Sequence, residues 1–137
     1  MKKILLIINI LFISLTAFAW QAPTVVTDAF QQKFDGATNV KWEKDNENFV
    51  ASFDMAGKRT TAIFNPQGQW FATETEIGSR GLPALAKVVL QTRFIGWNIA
   101  TAHKVDKPDG TDIYKAHLKK NDVFKEVLIT RNGAIIK

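Results

Sequence analysis

Cysteine is absent from the 137 residues, which excludes a disulfide framework and the cysteine to which bacterial lipoproteins attach their lipid. A domain without disulfides must be held by its apolar core alone. Histidine is almost as scarce: His103 and His117 are the two in the chain. No cluster of carboxylates stands at ligand spacing beside either, and a metal site needs several ligands. Beyond Ser14, serine is reduced to Ser52 and Ser79, neither in a G-x-S-x-G elbow, so a Ser-His-Asp arrangement has no local signature. G-x-G-x-x-G and the P-loop are both missing, which leaves nucleotide chemistry without support. No catalytic residue, metal or cofactor is implied.

A charge excess of one sign is missing too. Removing Lys2 and Lys3 with the leader leaves sixteen Lys and Arg against thirteen Asp and Glu, a net charge near +3. Past the leader, only Lys58-Arg59 and Lys119-Lys120 set basic residues side by side, each near a turn. Nucleic-acid binders concentrate positive charge on one face, so none is expected as a partner. The chain also lacks an uninterrupted apolar run of the roughly 20 residues a membrane span needs. Ile4–Phe18 is broken by Asn9, Ser14 and Thr16, follows the basic Lys2-Lys3, and ends in Ala17-Phe18-Ala19. That is a signal peptide over 1–19, with the small residues a signal peptidase reads. The mature chain is expected to begin near Trp20, in the periplasm, with no membrane anchor left after cleavage.

What is present is a pattern that occurs twice. Pro23 to Gly36 is repeated at Pro83 to Gly96, sixty positions on. Val26, Ala29, Phe30 and Phe34 in the first copy, and Ala86, Val89, Leu90 and Phe94 in the second, recur at the spacing of one helix face. Proline suits the start of a helix and glycine the residue just past its end. Phe30, Phe34, Leu90 and Phe94 are expected in the core, and Phe34→Ala is expected to cost roughly 3 to 5 kcal/mol.

Strands follow each helix. Thr38–Lys44, Phe49–Asp54, Arg59–Asn65 and Gln69–Ile77 alternate in polarity and are separated by turn chemistry at Asp45–Asn48, Asp54–Lys58 and Asn65–Gly68. From Tyr114 onward the second copy matches the first at a shift of sixty-five, which carries Gly68 onto Gly133; the extra residues fall around Asp106–Gly110. Loops absorb insertions. The expected fold is therefore α+β: a tandem repeat of helix plus four-stranded antiparallel meander, with both helices on one face of the sheet. The repeats run over about 22–77 and 82–137, share one core, and end in a short strand at Ala134–Lys137. Asp106, Asp109 and Asp112 around Gly110 lack the alternate spacing and distal glutamate of an EF-hand and form a turn. Trp42, Trp70 and Trp97 sit at element ends, where tryptophan packs a core or its rim.

Phe34-Asp35-Gly36-Ala37-Thr38-Asn39-Val40-Lys41-Trp42-Glu43, with Phe64-Asn65-Pro66-Gln67-Gly68-Gln69-Trp70 and Glu74-Thr75-Glu76-Ile77, resembles the PepSY-like, beta-lactamase-inhibitor-like family of secreted bacterial proteins. The resemblance spans the mature chain. It is looser in the second copy, where Ala102 and Ile135 stand in the places of Trp42 and Trp70, and Asp35 replaces the proline usual in the motif. It implies the tandem fold, export to the periplasm and no catalytic residues. The inhibitor that gives the family its name has disulfides that this chain lacks, so lactamase binding is not carried over.

Three function classes follow: a non-enzymatic periplasmic module that binds another protein, possible inhibition included; a small-ligand or peptide-sensing periplasmic module; and, last, an enzyme. The strands themselves suggest a surface for the first. Neighbouring strand residues face opposite ways, yet Phe49-Val50, Ile63-Phe64, Trp70-Phe71, Leu128-Ile129 and Ile135-Ile136 are pairs of adjacent apolar residues. One of each pair must face away from the helices. Val50, Ile63, Phe71, Leu128 and Ile136, edged by Lys115 and His117, are the expected patch for a protein partner or a second copy of the chain.

Overall fold

The computed structural model describes residues 21–136; the signal peptide expected at 1–19 lies outside them. Helix α1, Thr24–Lys33, starts at the N-cap Pro23, whose carbonyl accepts from the N–H groups of Val26 and Thr27. Helix α2, Ala84–Arg93, starts in the same way at Pro83. Proline is thus at the cap and not inside the first turn. Phe34 and Phe94 close the helices with nearly identical backbone angles, and Gly36 and Gly96 take the left-handed conformation that glycine tolerates.

Seven strands follow the turn signals of the sequence to within a residue or two: β1 Thr38–Asp45, β2 Asn48–Met55, β3 Lys58–Phe64, β4 Trp70–Glu76, β5 Asn98–Asp106, β6 Asp112–Lys120 and β7 Val123–Thr130. They form one antiparallel sheet in the order β1-β2-β3-β4-β5-β6-β7. The expected tandem of helix plus four-stranded meander is therefore wrong in two respects. First, the halves are not separate meanders: β4 hydrogen-bonds to β5, with Thr73 opposite Asp106 and Glu76 opposite His103. Second, the segment after β7 makes a single bridge, Ile129 to Ile135, in place of an eighth strand. β4 is held by pairing on both sides, whereas Ala134–Ile136 has β7 as its only pairing neighbour among the described residues.

Both helices do lie on one face. Phe49, Ala51, Phe53, Ala62 and Phe64 alternate along β2 and β3 and pack with Val26 and Phe30 of α1. Tyr114, Ala116, Leu118, Val127 and Ile129 of β6 and β7 pack with Ala86 and Leu90 of α2. These two clusters have no residue in common, so the single shared core is replaced by one core under each helix. Phe30 and Leu90 are buried as expected, but Phe34 and Phe94, beyond the helix ends, are half-buried. Trp42, Trp70 and Trp97 are half-buried and pack at the rims.

Two tight turns pin the helices to the sheet. A β-carbon on Gly68 would come within 2.8 Å of the Val25 carbonyl oxygen of α1, and one on Gly133 within 2.7 Å of the Val89 side chain of α2. Both glycines have positive φ. The shift of sixty-five that relates them is thus a packing relation as well as a sequence one.

Candidate functional site

With both helices on one side, the opposite face of the sheet is uncovered among the described residues, and strand register assigns its residues. Val50 pairs with Ile63, and Ile63 with Ala72, in one row across β2, β3 and β4. The next row runs Thr61, Glu74, Val105, Ile113, Thr130. The one after that runs Glu76, His103, Lys115, Leu128, and a last short row places His117 between Thr101 and Glu126. Apolar side chains therefore cross the face diagonally from Val50 to Leu128 through Val105 and Ile113.

Polar groups stand along this diagonal. Lys115 Nζ lies 2.5 Å from Glu74 Oε1, in an ion pair that spans β5 and is mostly shielded from water. Val105 is the cross-strand partner of Glu74, and it and Ile113 are only 5% and 8% exposed although no helix among the described residues covers them. The rings of His103 and His117 meet edge to face at 5.7 Å between centroids, His117 Nε2 is 3.9 Å from a Glu126 oxygen, and His103 Nδ1 is buried with no hydrogen-bond partner among the described residues. The centre of the face is thus partly desolvated, with its apolar floor roofed by charged side chains.

The structure places each expected site residue differently. Val50 and Ile63 are direct cross-strand partners on the helix-free face, and both are half-buried. Lys115 and Leu128 are likewise partners, with His117 one row away. The two groups stand three strands apart, about 14 Å at the usual strand spacing, and β4 and β5 lie between them. Phe71 belongs to neither group: a register shift lets Phe64 pair with Trp70 and Ile63 with Ala72, leaving Phe71 unpaired and 44% exposed. Trp70 therefore takes the helix side. Ile136 is exposed beyond β7, where its N–H donates to the Leu128 carbonyl. Missed from the sequence were Glu74, His103, Val105, Ile113 and Glu126. Lys115 and His117, two residues apart, mark one polar face of β6, but the β4 to β5 register that brings Glu74 alongside has no local signal.

The remaining polar candidates are dispersed. Ser52 is on β2 of the helix-free face and His117 on β6, four strands or about 19 Å away, while Ser79 opens the short 3-10 turn Ser79–Gly81 before α2. Asp106 pairs with Lys104, Asp109 accepts from the Thr111 N–H, and Asp112 accepts from Arg131 Nε. Hydrogen bonds from Asn39 and Arg59 hold the Asp54 carboxyl below the usual aspartate value, and that from Arg131 does the same for Asp112 against some desolvation.

This fold, a seven-stranded antiparallel meander with two helices on one face, has counterparts among solved structures. A BLIP-like protein from Bacteroides fragilis superposes with a TM-score of 0.76 at 18% identity, over 86% of this chain and 85% of that one. A DUF2874 family protein from Bacteroides uniformis matches with a TM-score of 0.80 at 24% identity, over 85% of this chain and 88% of that one. A candidate periplasmic protein from Bacteroides eggerthii matches with a TM-score of 0.81 at 22% identity, over 86% and 88% of the two chains. At these identities the likeness is one of fold. No sequence-family profile and no curated protein sequence matches the chain. No helix among the described residues is long and apolar enough to cross a membrane.

Proposed function

We propose that this chain is a non-enzymatic, protein-binding module of the bacterial periplasm that engages its partner through the helix-free face of the sheet. The observation that carries the reading is the apolar diagonal from Val50 to Leu128 on a face that no other element among the described residues covers. An antiparallel sheet packed on one side normally presents polar residues on the other; here half-buried Val50, Ile63 and Leu128 and buried Val105 and Ile113 stand among polar groups, and apolar area rimmed by polar groups marks an interaction surface. The BLIP-like neighbour and the candidate periplasmic neighbour support the class and the compartment. So do the PepSY-like, beta-lactamase-inhibitor-like motifs and the leader at 1–19. In this reading Val50, Ile63 and Leu128 supply apolar contact, Phe71 extends it at the edge, and Lys115 and His117 set polar register.

The test is capture from periplasmic extract by the mature chain and by Ile63→Lys and Leu128→Glu variants. Capture of a defined protein by the parent, lost in both variants while their melting curves stay within a few degrees of it, supports the face. Undiminished capture by the variants overturns it. Recovery of a second copy of the chain in place of another protein would make the face a homodimer interface.

A further inference from the structure

The helix side of the sheet holds a second feature, independent of the helix-free face. α1 covers β2 and β3 and α2 covers β6 and β7, so the centre of the sheet lies uncovered between them. A cavity of about 450 Å³ opens beside the end of α1, over β3 and β4, within the size range of small-molecule sites. Phe34, Met55 and Trp70 supply apolar walls. Its polar lining includes the hydroxyls of Thr60, Thr73 and Thr75, where large apolar residues would have closed it. The register shift beside Phe64 creates the site by bringing Trp70 to this face.

The polar groups are arranged for an anion. Lys33 Nζ stands 3.7 Å over the centre of the Trp70 ring. Neither it nor Lys58, which also lines the cavity, has a carboxylate partner among the described residues. Asp106, the acid on the lining, is matched by Lys104 at 3.3 Å. Trp70 Nε1 donates to Thr73 Oγ1 at 2.8 Å, which leaves the Thr73 hydroxyl proton without an acceptor among the described residues. Lys33 belongs to the last turn of α1, where free carbonyls carry partial negative charge. That field and Asp106 disfavour a multiply charged anion such as a phosphate monoester. A planar apolar body along the walls of Phe34, Met55 and Trp70, with one carboxylate reaching the lysines, matches this lining.

We propose that the cavity beside the end of α1 binds a small monocarboxylate with a planar apolar body, Lys33 and Lys58 holding the carboxylate and Phe34, Met55 and Trp70 walling the body. The test titrates the mature chain with naphthoate, naphthylmethanol and naphthylmethylamine, following the indole N–H resonance of Trp70, assigned with Trp70→Phe. Naphthoate is expected to shift that resonance and to bind at least about tenfold more tightly than the alcohol or the amine. The paired Lys33→Met, Lys58→Met variant, whose changes lie at exposed positions, should lose that advantage while keeping its circular dichroism and melting temperature. Ile63→Lys and Leu128→Glu should leave naphthoate binding unchanged, which separates this site from the partner-binding face. An unmoved Trp70 resonance at millimolar naphthoate overturns the proposal. So does equal binding of the alcohol or amine, or full affinity in the lysine variant.

Discussion

Phe30 is the side chain on which the first half depends. It is 5% exposed, its ring meets that of Phe53 edge to face at 4.9 Å, and it also contacts Phe34, Trp42 and Phe64. Phe30→Ala should cost about 3 to 5 kcal/mol, the usual range for emptying an aromatic site. Phe34 stands at the end of the helix and is half-exposed to water, so Phe34→Ala should cost less, about 1 to 2 kcal/mol. Urea unfolding of the two variants checks the order, and a larger loss at Phe34 would contradict it. Helical spacing put both phenylalanines on one face, but the spacing does not reveal where the helix stops, and this decides their burial. Asp112 offers a pH-dependent counterpart. Its carboxyl titrates below the ordinary 3.8 because Arg131 donates to it. A lowered folded-state value stabilises the fold above the unfolded pKa and loses that contribution as pH falls through the folded value. Asp112→Asn should therefore lower the melting temperature at pH 7, and the gap should close in acid below the folded value. A gap independent of pH would remove the ion pair from the account.

At the scale of elements, the turn glycines test how the helices are tied down. Gly57 and Gly68 both have positive φ, but a β-carbon at Gly57 meets nothing within 4 Å while one at Gly68 strikes the backbone of α1. Alanine at Gly57 should cost about 1 to 2 kcal/mol for the left-handed conformation alone. Alanine at Gly68 should cost more, because a helix carbonyl cannot step aside as a flexible side chain can. Equal melting temperatures for the two variants would show that the turn is not packed on α1. Element boundaries were largely legible. Turn residues announced the ends of β1 to β4 because Asp, Asn, Pro and Gly act through local backbone chemistry. The repeat of Gly68 at Gly133 pointed to equivalent turns, though sequence alone did not show that each turn buttresses a helix.

Across the whole molecule, what the sequence concealed was pairing between distant strands. Both halves carry similar strand patterns, and from pattern alone each suggests four strands. The seven-stranded sheet arises because β4 and β5, separated by the whole of α2, zip together, while the bridge at Ile135 goes no further. The same junction determines the helix-free face. Adjacent apolar pairs correctly indicated that Val50, Ile63 and Leu128 turn away from the helices, since alternation is a local property of strands. Glu74, Val105 and His103 joined them only through the register of β4 on β5. The central claim, that this face meets a protein partner, is tested most directly by photo-crosslinking in the periplasm. A benzoylphenylalanine would be placed in turn at Ile63, at Leu128 and at Val88, an exposed position on α2. The account predicts an adduct with one and the same protein from Ile63 and Leu128 and none from Val88. Adducts from Val88 alone, or different products from the two sheet positions, would contradict it.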